Sequence, residues 1–380
     1  MNHIDLIQFI KKQYPKKDNV YLHEPVFNGN EKKYINDAID STFVSSVGKY
    51  VDKFELDFSK FVNTNKCIAV VNGTSALQVA LKLSGVQSGD EVITQSLTFV
   101  ATANAISYNN ATPIFLDVDY DTMGLSPNAV ENFLIANCDI IENKCVNKNT
   151  KKIISACVPM HTFGFPVRIK ELAAICKKWN IPIVEDAAES LGSYYNDQHT
   201  GTFGELGVFS FNGNKIITSG GGGAIVSNNN DLSIRAKHLT TTAKIPHPYE
   251  YAHDEIGFNY RMPNLNAALL CAQLEMMEIY LNDKRDLANI YSKYFEEKGI
   301  VFRKELENTR ANYWLMCVEM ESKKDRDLFL EDTNKNGVMT RPIWKLMSDL
   351  DIYKHCEKDS QENSRKLVDR IVNIPSGFRN

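Results

Sequence analysis

The chain predicts an α/β fold: a mostly parallel sheet flanked by helices, followed by a smaller α+β unit. Three observations carry this. Between about Lys66 and Val226, short apolar runs alternate with stretches of helical period. That is the pattern of strands joined by helical crossovers. Several runs are continuously apolar, as strands covered on both faces are. After about Pro246 the alternation stops, and one long helical stretch leads into mixed elements.

In chain order, the expected strands of the first unit are Cys67–Val71, Glu91–Thr94, Thr112–Leu116, Ile153–Val158, Ile181–Glu185, Gly207–Phe211 and Gly223–Val226. Helical periods fall at Ser75–Leu83, Phe99–Tyr108 and Ile169–Trp179. In the second unit a helix is expected over Asn264–Tyr291, strands within Val301–Glu319 and Val338–Pro342, and a polar helix over Lys324–Asn334. The division is a large α/β domain at 29–246 and a small α+β domain at 247–380. Residues 1–28 are expected to pack on the small domain. Their first part reads as a short amphipathic helix, without the basic start and apolar stretch of a signal peptide.

With 380 residues, 43% apolar and 24% charged, the chain has the composition of an ordinary globular protein with a large core. Its net charge of −4, spread along the chain, argues against a general nucleic-acid binder. Apolar runs such as Ala267–Ala272 are too short to span a bilayer. The eight cysteines show no CxxC pair and no Cys/His cluster at zinc-ligand spacing, so no metal site is expected. Reduced, mostly buried thiols in a cytoplasm are the expectation.

Four motifs fall at the ends of expected strands, where ligand sites gather in such sheets. Asn72-Gly73-Thr74-Ser75-Ala76 follows the first strand and opens a helix. Its free N–H groups and hydroxyls make an anion site, with Gly73 allowing close approach. An ordinary helix cap explains the same residues. Ser96 to Asn104 follows the second strand, and Phe99 can stack on a flat heteroaromatic ring or serve the core. Glu185-Asp186-Ala-Ala-Glu189 ends the most apolar strand. A carboxylate there needs a positive partner, so Asp186 is a candidate for holding a protonated ring nitrogen, with a helix cap as the alternative. The fourth is Phe209-Ser210-Phe-Asn-Gly-Asn-Lys215, followed by Gly220 to Gly223. A lysine shielded from solvent can lose its proton and act as an amine nucleophile. Ser210 can bind phosphate, and the glycines would leave room for a bulky ligand. Together these are the parts of a pyridoxal 5′-phosphate site.

On these stretches, and on Gly257-Phe-Asn259-Tyr-Arg261-Met, the chain resembles the nucleotide-sugar aminotransferases of the DegT/StrS type. The resemblance covers nearly the whole chain. It implies the fold-type I architecture, with a mixed, mostly parallel seven-stranded sheet. It implies Lys215 as the lysine that holds the cofactor as a Schiff base and Asp186 as the pyridinium partner. Gly73, Thr74, Ser75 and Ser210 would form the phosphate site, and Phe99 would stack on the ring. Asn259 would reach the phosphate of the other subunit, which calls for a homodimer with shared sites. Glu189 stands where many members have Gln against the ring hydroxyl, and the glycine run lacks the Glu that many members carry there.

The implied reaction moves an amino group from L-glutamate to a keto nucleotide sugar. The branch most resembled, supported by Leu22–Asn30 and Ser45–Lys49, aminates C4 of UDP-4-keto-6-deoxy-N-acetylhexosamines for bacterial surface glycans. A dTDP- or GDP-linked sugar, amination at C3, a sugar dehydratase using the same cofactor and a non-catalytic cofactor-binding regulator are the alternatives. The dehydratases have histidine in place of the lysine. His161, Arg261 and Arg341 are candidates for substrate contact, with structural roles as the alternative.

Overall fold

A computed structural model describes residues 3–379. The large sheet of the first unit has seven strands: β1 (Lys66–Val70), β2 (Glu91–Gln95), β3 (Thr112–Leu116), β4 (Ile154–Val158), β5 (Val184–Asp186), β6 (Leu206–Ser210) and β7 (Gly223–Ser227). They form two hydrogen-bonded groups, β3-β2-β4 and β5-β6-β7-β1. Parallel bridges at Cys157–Ile183 and Met160–Asp186 join β4 to β5, so the order across the sheet is β3-β2-β4-β5-β6-β7-β1. Only β7 runs against the others.

Both faces of this sheet are covered, which is why its strands read as unbroken apolar runs. The first helices of the chain are α1 (His3–Lys12), α2 (Glu31–Asp40), α3 (Lys49–Val62) and α4 (Gly73–Leu83). Alternate residues of β1 divide between two clusters. Ile68 and Val70 cluster with Ala76, Leu77 and Ala80 of α4, whereas Cys67 and Ala69 join a cluster containing Phe54 and Phe58. Those two rings sit on α3 (Lys49–Val62), whose buried Tyr50, Val51, Phe54, Phe58 and Val62 follow a helical period. Phe58 meets Phe209 and Phe211 edge-on, at 5.1 and 5.4 Å, just before the lysine turn. Burial of one such ring contributes about 1.5–3 kcal/mol.

The helix expected over Asn264–Tyr291 is two, Asn264–Glu275 and Met277–Glu297, broken at Met276. The first of them packs on α3 and on Glu31–Asp40, beside the large sheet. The long helical stretch therefore serves both units, not the small one alone. The small sheet orders Val301–Phe302, Met316–Glu319, Ile371–Ile374 and Arg341–Pro342, all antiparallel. The helix at Lys323–Lys335 packs beside it. At the N-terminus, Phe9 stacks on Tyr294 and Val20 bridges to Val338, so this segment lies against the small unit. Met1 and Asn2 lie outside the described residues. Among these, no helix is long and apolar enough to cross a membrane.

Candidate active site

The carboxyl ends of β1, β2, β5 and β6 converge on a cavity of about 620 Å³. Lys215, Asp186, Glu189, Phe99, Ser210, Gly73, Thr74 and Arg341 all line it.

At the end of β1, Asn72 caps α4: its Oδ1 accepts from Ser75 N–H at 2.8 Å. Ala76 N–H goes to the Asn72 carbonyl. The N–H groups of Gly73 and Thr74 have no acceptor among the described residues, as the first turn of a helix dictates. Gly73 is required by packing, since a Cβ there would lie 2.8 Å from the Ser210 Cβ. The end of β6 is thus pressed against the start of α4, which sets Ser210 beside two free amides. Ser75 lines an adjoining, more open hollow with Gln78, Tyr108 and Tyr260.

Asp186 ends β5 and is 3% exposed. Its Oδ2 accepts from Thr102 Oγ1 at 2.7 Å and its Oδ1 from Ala188 N–H at 3.2 Å. Burial pushes its carboxyl above the usual range, while Lys215 and His161 pull the other way. A buried acid of this kind lacks a cation bonded to it, and a protonated ring nitrogen fits that need.

Lys215 follows a turn closed by its own N–H on the Asn212 carbonyl. Its Nζ lies 4.0 Å from the centre of the Trp314 ring and 3.5 Å from Glu189 Oε1. The other Glu189 oxygen accepts from Phe163 N–H at 2.9 Å. Burial pushes the Glu189 pKa up to about 7 against the pull of Lys215. Phe99 leads into the helix Val100–Tyr108 with its ring half exposed to the cavity, as a stacking face requires. Free amides beside Ser210, an open aromatic face, a buried acid and a shielded amine together fit a pyridine ring bearing a phosphate and an aldehyde.

The glycine run serves packing as well as the cavity, which Gly221 and Gly222 line. A Cβ on Gly223 would come within 2.5 Å of the Asn72 backbone, and one on Gly222 within 2.7 Å of Ser219 Oγ. These glycines let β7 pass tight against the anion-binding turn. They do not simply make room for a ligand.

His161 is fully buried and does not line the cavity. Its Nε2 bonds Glu185 Oε2 at 3.0 Å and its Nδ1 accepts from Val167 N–H. Glu185 also accepts from the N–H groups of Gly201, Phe203 and Gly204. His161 is therefore part of a buried polar staple, and its expected substrate contact is withdrawn. Asn259 and Arg261 bond each other at 3.0 Å and also lie off the cavity. Their segment runs along the edge of β1, where Val71 N–H bonds the Tyr260 carbonyl. Among the described residues one cluster of possible metal ligands, His238, Asp254 and Glu255, lies together outside the cavity, with Arg235 paired to Glu255.

Thr102, Trp314 and Lys345 line the cavity and were not singled out from the sequence. Thr102 lies in the first turn of the helix Val100–Tyr108, and its hydroxyl bonds that of Thr98, which precedes the helix, at 2.9 Å. Trp314 comes from the far side of the chain, and no local pattern marks it.

The raised Glu189 pKa gives a sign for stability. Between about pH 4.5 and pH 7 the folded, cofactor-free protein keeps a proton that the unfolded chain has released. Stability therefore falls as pH rises through that window, by up to about 3 kcal/mol. In Glu189→Gln this loss should vanish, and urea unfolding of the cofactor-free protein across the window reads it. An unchanged pH slope in the variant would count against the buried, proton-holding Glu189.

The profile of the DegT/DnrJ/EryC1/StrS aminotransferase family matches residues 26–379. GDP-perosamine synthase of Escherichia coli O157:H7 is 36% identical over 93% of this chain and 92% of its own. The Vibrio cholerae enzyme of the same name is 35% identical over 93% of each chain. Among solved structures, a DegT DnrJ EryC1 StrS aminotransferase from Brucella abortus superposes with a TM-score of 0.83 at 25% identity, over 91% of this chain and 90% of its own. Helicobacter pylori PseC, an aminotransferase involved in the biosynthesis of pseudoaminic acid, shares the fold with a TM-score of 0.85 at 23% identity, over 94% and 93%. By sequence, fold and the chemistry of its cavity, this chain belongs to the DegT/DnrJ/EryC1/StrS aminotransferase family and is a pyridoxal phosphate-dependent sugar aminotransferase.

Proposed function

We propose that the chain transfers an amino group from L-glutamate to C4 of a keto sugar carried on a nucleoside diphosphate, with GDP as the nucleotide. The observation that carries the amino-transfer reading is the shielded Lys215 amine facing the same cavity as the buried Asp186. Similarity to two GDP-perosamine synthases supports GDP over the UDP expected from the sequence. The UDP reading stands second, because Leu22, in the segment that favoured it, lines the cavity.

The bound cofactor supplies an electron sink for carbanion charge. The residues do the rest. Lys215 Nζ would take up the proton that leaves the donor's α-carbon. Asp186 would hold the proton on the ring nitrogen, and the α4 amides with Thr74 and Ser210 would hold the phosphate. Phe99 would cover one face of the ring. Arg341 and Lys345 give the rim a positive charge suited to a diphosphate.

A homodimer is part of this reading. Asn259 and Arg261 stand off their own cavity, which supports the expected contact of Asn259 with the phosphate of a second copy. Tyr249, Tyr251 and Ile256 nearby are 80–87% exposed, which supports burial against another chain. We place the enzyme in the cytoplasm, a reading supported by eight cysteines that are all free and buried.

The test is to load the protein with pyridoxamine phosphate and offer GDP-, UDP- and dTDP-linked 4-keto-6-deoxy sugars. NMR of the products and sedimentation of the enzyme complete it. The expected result is a 4-amino sugar, a preference for GDP of about tenfold or more in kcat/KM, and a particle of twice the chain mass. A deoxygenated product would make the chain a dehydratase. A UDP preference would promote the second reading, and no spectral change with glutamate would leave a non-catalytic binder.

A further inference from the structure

Lys284 stands mid-way along the helix Met277–Glu297 and is 1% exposed. Its ammonium has no ion-pair partner among the described residues. Its neighbour Asp283 is taken by Arg379 at 2.7 Å. Instead, Nζ donates to three carbonyl oxygens: Tyr313 at 3.3 Å, Trp314 at 3.2 Å and Ser376 at 2.5 Å. An apolar side chain would fill such a place at less cost, so a buried charge here calls for a use.

Those carbonyls belong to segments that wall the catalytic cavity. Trp314 and Leu315 line it directly. Ser376 donates its N–H to the Leu22 carbonyl, and its Oγ accepts from Met316 N–H, both at 2.8 Å. Leu22 and Asn373 line the cavity too. Tyr313 has φ +51°, a left-handed conformation that a bulky residue holds only when its surroundings impose it. Lys284 bonds the carbonyls of that residue and the next. Trp314 then lays its ring over Lys215 Nζ, and its Nε1–H bonds the Asn214 carbonyl at 2.7 Å.

We propose that Lys284 is a positioning residue for amino transfer: its ammonium ties the Tyr313–Trp314 and Ser376 carbonyls together and so keeps Trp314 seated over Lys215. This rests on the reading of Lys215 as the reacting lysine.

The charged and titratable groups around Lys284 are few. Asp283 lies on its own helix, Tyr313 on the segment it holds, His23 on the N-terminal strap, and Arg379 near the chain's end. Lys215 stands beyond Trp314. His23 Nδ1 is buried without a partner, and burial together with Lys284 and Lys215 holds that ring well below its usual pKa, so it brings no second charge. Burial likewise draws the Lys284 pKa down to about 7, with Asp283 opposing. Above that pH a neutral amine has two N–H groups for three carbonyls, and the clamp weakens.

The test follows glutamate turnover by the holoenzyme from about pH 6 to pH 9, well below each variant's unfolding temperature. Lys284→Met should lower kcat about 10–100-fold, with the glutamate KM within roughly threefold of wild type. Lys284→Gln, which keeps N–H donors, should retain more activity. The ratio of wild-type to Lys284→Met rates should shrink as pH rises past neutrality. Trp314→Leu should show a similar loss, and the double variant should lose no more than the larger single one. The proposal is overturned if Lys284→Met keeps wild-type kcat, if the two losses multiply, or if neither Lys284 variant folds, which would make Lys284 a folding residue. Borohydride trapping and peptide mapping in the wild type separate the two readings. A trapped bond on another lysine ends the Lys215 assignment, whatever the coupling shows.

Discussion

Lys215→Ala is expected to lower turnover by roughly 10⁴-fold or more, the upper end of what a positioned general base contributes. It should also remove the borohydride-reducible bond between protein and cofactor. The geometry makes this loss hard to bypass. The Lys215 side chain is 12% exposed and reaches the cavity between Trp314 and Glu189. Among the described residues, the other lysine lining that cavity is Lys345, which is exposed at the rim. The phosphate turn and Asp186 belong to other strands, so the cofactor should still bind without a covalent link. Absorbance, borohydride reduction and a glutamate half-reaction read the three effects apart. A reducible bond that persists in Lys215→Ala would mean that another amine does the chemistry.

The sequence spelled out the large sheet because covered strands are apolar throughout. All seven expected runs overlap observed strands, and Thr112–Leu116 matches end to end. The least accurate was Ile181–Glu185. Only Val184–Asp186 pairs as a strand, because Cys157 bonds the Pro182 carbonyl and bridges to Ile183 before regular pairing begins. Helices at Glu31–Asp40 and Lys49–Val62 went unread, although the spacing of Tyr50, Phe54, Phe58 and Val62 carried a helical signal. In the site, the local motifs gave Gly73, Phe99, Asp186 and Lys215 because each motif is a strand end followed by a turn or helix. Trp314 was not legible. It sits in a stretch read as strand, and its approach to Lys215 depends on the left-handed Tyr313 and on Lys284, contacts distant in sequence. His161 shows the converse. A histidine after a strand reads as a candidate for substrate contact, but Glu185, one residue before Asp186, already holds it.

Asp186→Asn should move turnover and stability in opposite directions, and that opposition separates its two roles. Asparagine keeps the shape. Its amide oxygen can still accept from Ala188 N–H, and its NH₂ can donate to Thr102 Oγ1, which now acts as acceptor. What disappears is the negative charge. Without cofactor that charge is a burden, since burial raises the Asp186 pKa. The folded protein then holds a proton longer than the unfolded chain, and stability falls as pH climbs through the carboxyl range. The cofactor-free Asn variant should therefore resist urea better than wild type at neutral pH. In the holoenzyme the same charge keeps the ring nitrogen protonated, which a neutral amide cannot do. Turnover should drop by about 10²–10³-fold, the scale of removing one preorganised electrostatic contact from a water-poor site. The absorbance change on adding glutamate should slow by a like factor. If Asp186 served only to close the turn on Ala188 N–H, asparagine would do so equally well and turnover would stay within roughly threefold of wild type. A stabilised but nearly inactive variant is the pattern that a buried counter-charge to the cofactor requires.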